Sequence, residues 1–304
     1  MHTIELTLFF AANHPDLMAL AAWAIMAYHP AIQANFRRVE DDHHRQFGQV
    51  LLILIDCLKL VGKVNIGPPD LPTIKAEVNA FLSSVRLSVD DFQVSRIDFC
   101  YNNADLPEDE RTLVMRLLEK AFPEADYMRR YESYPTSVYY KSRSRVVQVY
   151  DKMAECRDKR EAPDPHEIGV LRLEVQLKRQ HLKYLCKQPG MTRSWDNCVD
   201  WNLRTIYLSR ALEHNVFPGD YYTVERACEQ LTRSGVKPFM VDRLREFLVK
   251  VSRCRNMDSL TRFFSPNTIR SYLKLLAQAG VNPIPIPKRA GRSYLENPFR
   301  KGVA

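Results

Sequence analysis

Residues 171–178 read Leu-Arg-Leu-Glu-Val-Gln-Leu-Lys, with apolar side chains at every odd position and polar ones at every even position. Side chains alternate across a pleated strand, so this stretch predicts a core face and a polar face, the latter carrying Arg172, Glu174, Gln176 and Lys178. Two upstream stretches have the same period. In 96–102, Ile97, Phe99 and Tyr101 share one side, and Arg96, Asp98, Cys100 and Asn102 the other. In 146–152, Val147 and Val149 oppose Gln148, Tyr150 and Lys152.

Outward from these strands, 136–140 reads as a short strand and 108–122 as a helix with Leu113, Met115, Leu117 and Leu118 for burial. The charged, Pro-containing stretch 158–167 predicts an exposed loop. Upstream, 3–10 alternates as a half-buried strand, 16–28 predicts a buried helix, and 46–60 fits strand or helix equally well by period. Gly67, Pro68, Pro69 and Pro72 mark a loop before an amphipathic helix over 71–87. After Gln188-Pro189-Gly190 the pattern becomes helical, around 199–214, 224–233, 241–253 and 267–280, with no strong strand signal left. Ser265-Pro266 is a good start for the last helix and Gly280 a good stop. The tail 283–304 predicts an extended basic arm.

The chain has 304 residues, 45% apolar and 26% charged, which excludes disordered and low-complexity classes. Seven cysteines, an odd number with no CxxC, support neither a disulfide framework nor a zinc finger, and fit a reducing cytosol. The longest apolar run, 17–28, spans 12 residues, short of a membrane span, and no basic run precedes an apolar N-terminal stretch as in a signal peptide. Charge is uneven: residues 1–110 hold 8 Lys+Arg and 15 Asp+Glu, and the remainder 36 and 21, a net of −7 against +15. A basic segment of that size favours a polyanion such as nucleic acid.

If the three alternating strands are neighbours, one face gathers Asp98, Tyr150, Lys152, Arg172, Glu174 and Lys178. Two mid-strand carboxylates can hold a hard divalent cation such as Mg²⁺ or Mn²⁺. A phenol beside it can attack phosphorus, with lysines neutralising phosphate. The plainer alternative pairs Asp98 and Glu174 with Arg96 and Arg172 in a purely structural sheet.

In order, Arg-Ile-Asp-Phe-Cys-Tyr-Asn (96–102), Ser-Val-Tyr-Tyr-Lys-Ser-Arg-Ser (137–144), Val-Gln-Val-Tyr-Asp-Lys-Met-Ala-Glu (147–155) and Leu-Arg-Leu-Glu-Val-Gln-Leu-Lys (171–178) resemble the motifs of rolling-circle replication initiators. The likeness is to the filamentous-phage gene II type, the phage replication protein CRI type and related plasmid Rep proteins. It covers 96–178, with family-like pieces at 3–10, 235–239 and 298–299. It implies an α+β fold whose central antiparallel sheet is of the HUH-endonuclease (Rep) type, followed by an all-helical C-terminal domain. The HUH motif itself is absent, since His43-His44 is an adjacent pair in a charged stretch. The expected division is a nicking-joining domain over 1–190 and a helical DNA-binding domain with a basic tail over 191–304.

The resemblance further implies a site-specific single-strand endonuclease that becomes linked to a 5′ phosphate, leaves a 3′ hydroxyl for synthesis and later rejoins ends. Tyr150 would be the nucleophile, with Tyr139 and Tyr140 as competitors of opposite parity. Lys152 would assist at the phosphate. Asp98 and Glu174 would hold Mg²⁺ or Mn²⁺, with Glu155 a third candidate. Arg143, Arg172 and Lys178 would contact DNA. Apart from the resemblance, 268–276 reads either as a recognition helix, with Arg270 and Lys274 one turn apart and contacting DNA, or as an ordinary exposed basic helix face. Lys141 departs from the glycine usual in the turn. The partners implied are single-stranded or supercoiled origin DNA and a host helicase and polymerase, with no membrane, in the cytoplasm of a bacterium carrying a phage or plasmid. Two alternatives remain: a DNA-binding replication or regulatory protein without catalysis, and a related relaxase or transposase.

Overall fold

The computed structural model describes residues 1–40, 46–104, 106–121, 130–134, 136–187 and 190–300; His43, His44 and Lys301 lie outside these. The first half runs β1 (Thr3–Ala11), α1 (Leu17–Met26), β2 (Ile32–Glu40), β3 (Gln46–Asp56), α2 (Cys57–Val61), α3 (Asp70–Ser83), β4 (Gln93–Asn103) and α4 (Glu108–Leu118). Next come β5 (Arg130–Tyr134), β6 (Ser137–Lys141), β7 (Arg145–Asp151), α5 (Lys152–Lys159) and β8 (Leu171–Lys178). The remainder is α6 (Arg179–Leu185), α7 (Trp195–Cys198), α8 (Trp201–Ala211), β9 (Tyr221–Tyr222), α9 (Val224–Arg233), α10 (Pro238–Arg253), α11 (Pro266–Gln278) and β10 (Tyr294–Leu295).

The fold is α+β. Eight strands form one antiparallel sheet in the order β2-β3-β1-β4-β8-β7-β6-β5. The three alternating segments are therefore neighbours, β4-β8-β7. Register sets Cys100 opposite Glu174, Asn102 opposite Arg172, Gln148 opposite Glu174 and Tyr150 opposite Arg172. Directly paired residues share a face, so Asp98, Tyr150, Arg172, Glu174 and Lys178 lie on one side of the sheet. The other side is apolar. Phe99, Val147, Val149, Leu173 and Val175 join one core with Val114, Met115 and Leu118 of α4 and Leu208 of α8. Phe99 stacks on Tyr207 of α8 at 6.1 Å.

The ambiguous 46–60 segment is both things in turn: β3, then a short α2 capped by the Asp56 side chain and stopped at Gly62, whose φ is +63°. Four expectations change. The 16–28 helix is not buried: α1 sinks only Leu17, Leu20 and Ala24, while Met18, Ile25 and Met26 face outward. It carries no charged residue, so composition alone could not say which side would be covered. The tail is not an extended arm. Residues 281–286 are buried, Phe299 is fully buried, and Arg292 pairs with Asp109 and Glu110 of α4. The C-terminal part is not wholly helical either, since β9 and β10 pair as a two-residue ribbon. Within 158–167, Glu167 is buried, not exposed. Among the described residues no helix is long and apolar enough to cross a membrane.

Residues on both sides of position 190 touch. Arg193 O accepts from Val94 N at 2.7 Å, and Arg204 of α8 donates to Cys100 O at 2.9 Å.

Candidate metal centre and tyrosine site

Asp98 and Glu174 project from adjacent strands at the centre of the polar face and are 0% and 2% exposed. A third group joins them from outside the alternating motifs. His2, just before β1, places Nδ1 2.8 Å from Glu174 Oε2. Donor atoms of His2, Asp98 and Glu174 lie within 4.8 Å of one another, a set that can hold a metal ion. One imidazole nitrogen and two carboxylate oxygens are suitable ligands for a divalent cation.

Two arginines compensate the carboxylates. Arg96 grips Asp98 through both nitrogens of a fork, Nε to Oδ1 at 2.9 Å and Nη2 to Oδ2. Arg172 is 0% exposed and donates to Asn102 Oδ1 (2.7 Å) and Tyr150 Oη (3.1 Å), with its Nη1 3.0 Å from His2 Nε2. An arginine cannot lend a nitrogen lone pair, so His2 Nε2 accepts that bond and Nδ1–H donates to Glu174. Tyr150 Oη donates to Glu174 Oε2 at 3.1 Å, and Gln148 Nε2 donates to Glu174 Oε1.

The electrostatics divide the two acids. Burial and the adjacent Glu174 charge push the Asp98 carboxyl up to about 6. Burial also disfavours ionised Glu174, but the hydrogen bond from His2 and the charges of Arg172 and Arg96 outweigh it and hold that carboxyl at about 2. Two close carboxylates that cannot both ionise cheaply are an arrangement a cation relieves. Burial raises the Tyr150 phenol well above its ordinary value, with Arg172 pulling the other way.

The other expected residues fall around this centre. Lys152 is not on β7: it opens α5, because Asp151 ends the strand and caps the helix through Met153 N and Ala154 N. Lys152 pairs with Glu155 at 2.9 Å and Glu167 at 3.2 Å. Glu155 also takes Lys159 at 2.8 Å and stands outside the donor cluster. Lys178 lies on the site face opposite Arg96, and Arg143 is exposed in the β6–β7 turn. Arg270 and Lys274 are exposed on α11. Tyr139 pairs with Gln148 and so shares the face of Tyr150, half-buried, whereas Tyr140 is in the core. The expected pairing of Arg172 with Glu174 is indirect, running through Tyr150 and His2.

Sequence reasoning missed His2 and Glu167. By parity His2 belongs with Ile4 and Leu6, so alternation offered no sign of it; Glu167 sits in a charged stretch with no period.

No family model and no curated protein matches the chain.

Proposed function

We propose that this polar face nicks and rejoins one DNA strand, the activity of a rolling-circle replication initiator. The observation that carries the reading is the Tyr150 hydroxyl held between Glu174 and Arg172, beside a three-donor cluster able to take a cation. The phenolic oxygen forms a bond to phosphorus and its proton has Glu174 Oε2 as acceptor. The phosphorus–3′-oxygen bond breaks and the 3′ oxygen takes up a proton. Arg172 steadies the phenolate before attack. Bound Mn²⁺ or Mg²⁺ at His2, Asp98 and Glu174 would polarise a phosphate oxygen. Arg96 and Lys178 supply positive charge along the same face for a single strand, and Arg143 adds to it from the β6–β7 turn. Rejoining is the reverse displacement by a 3′ hydroxyl.

Exposure favours a second assignment within the same reading. Tyr150 is only 4% exposed, while Tyr139 stands half-exposed one strand away. In that case Tyr139 attacks and Tyr150 positions Glu174 and Arg172.

The test is covalent capture. The protein is incubated with Mn²⁺ and a 3′-labelled single-stranded origin oligonucleotide, then denatured. We expect a labelled adduct that Tyr150→Phe abolishes. Loss with Tyr139→Phe alone moves the nucleophile to β6. No adduct in the native protein, or one that survives both substitutions, sinks the proposal and leaves a DNA-binding protein.

A further inference from the structure

We infer that the helix–turn–helix ending in α11 docks on duplex DNA with α11 in the major groove. A 3-10 helix, Met257–Arg262, is followed by three residues, 263–265, and then by α11. A connection of three or four residues is the length this motif uses between its two helices, the second of which reads bases from its N-terminal turns.

α11 packs on an apolar scaffold. Met257, Leu260, Tyr272 and Leu276 are buried. Phe247 of α10 meets Phe264 and Tyr272, each at 5.4 Å, and Phe264 meets Tyr272 at 6.0 Å. These contacts orient the helix, so its opposite face is free to serve another purpose. That face presents Asn267, Arg270, Ser271, Lys274 and Gln278, all exposed and three or four residues apart. No acid occurs in α11. Between 253 and 278 there are five Lys/Arg and one Asp, and Arg253, Arg255 and Arg262 are exposed beside the motif. The five residues of this stripe are all polar or basic, with exposed Ala277 and Phe263 to its sides, and that chemistry suits a polyanion rather than a protein partner.

Side-chain chemistry assigns roles within the stripe. Arg270 Nη1 donates to Asn267 Oδ1 at 3.0 Å, which places the guanidinium over the first turn of the helix. There its fork matches a guanine edge, and Asn267 and Ser271 suit base edges alongside. Lys274, one turn later, is placed for phosphate.

This inference rests on the proposed function only for the choice of nucleic acid, and its test does not involve the tyrosine. The full chain selects binders from a library of random-sequence 30-bp duplexes. Its affinity for the enriched duplex and a scrambled one is then measured by anisotropy over a NaCl series. We expect one enriched motif. Arg270→Ala should cut the preference for it roughly tenfold or more, and Arg270→Lys should do the same while keeping the salt slope. Lys274→Ala should weaken both duplexes alike and flatten the log–log slope by about 0.9. Failure of the native chain to enrich any motif overturns the inference. So do a preference and slope unchanged in the Arg270→Ala/Lys274→Ala double variant. An enriched motif without any covalent adduct overturns the nicking proposal alone and leaves this one standing.

Discussion

Arg172 concentrates the energetics of the site in one side chain. It has no solvent to fall back on and answers Asn102, Tyr150, His2 and, at 3.5 Å, Glu167. Arg172→Met leaves buried acceptors and acids uncompensated, so the urea midpoint should report a loss of about 3 kcal/mol or more. Arg172→Lys should recover little, because an ammonium cannot span the same partners as a planar fork. Asp98 sets a pH dependence. A raised acid favours the protonated fold, so in metal-free protein its contribution to stability is full below the ordinary 3.8 and lost as pH climbs through about 6. Metal ligands must be deprotonated, so Mn²⁺ affinity should strengthen over that window. Calorimetric titration at pH 5 and pH 7 measures it. Equal affinity at both would remove Asp98 from the ligand set, and Asp98→Asn should shrink the step.

At the scale of elements, Asp151 shows how a strand is turned into a helix beside the site. Its carboxylate caps α5 and also accepts from Arg111 Nε of α4 at 2.8 Å. Asp151→Ala should cost about 1 kcal/mol for the cap alone, and more for the stranded Arg111; Asp151→Asn, which keeps the cap, separates the two in thermal unfolding. This junction also marks a limit of sequence reading. Alternation from Val147 breaks at Asp151, a charge at a core-side position that reads as the end of the strand, but the cap is what shows that Lys152 has turned into a helix. Within each strand the period was sufficient: it set Asp98, Tyr150 and Glu174 on the polar sides of their own strands, and it separated Tyr139 from Tyr140. The ends of α11 were legible for the same kind of reason, since Ser265 accepts from Thr268 N and Gly280 has φ +69°. Strand order and the reach of His2 to Glu174, 172 residues away, have no local signature.

For the molecule as a whole, the later part of the chain is a structural partner of the sheet. A fragment ending at 190 would lose Tyr207 from Phe99 and Arg204 from Cys100 O, exposing the apolar face. It should aggregate, and a soluble 1–190 fragment that keeps native thermal cooperativity would refute that coupling. The returning tail is tested at Gly219. Its φ is +153°, and a Cβ there would lie 2.5 Å from Val281 C and 2.7 Å from Asn282 N. Both neighbours are backbone and cannot give way, so Gly219→Ala should lower stability by about 1 kcal/mol or more, read from the melting temperature. The order of the strands carries a consequence for the life of the chain. β1 to β4 pair among themselves, β5 to β8 do likewise, and the two quartets meet only along β4 and β8. His2 and Asp98 belong to the first quartet, Tyr150 and Glu174 to the second. The strands of the second quartet all follow those of the first in the chain, so they are made later. A chain still emerging from the ribosome can therefore complete its first quartet while holding neither the tyrosine nor the full donor set, and it acquires both only when that final suture closes.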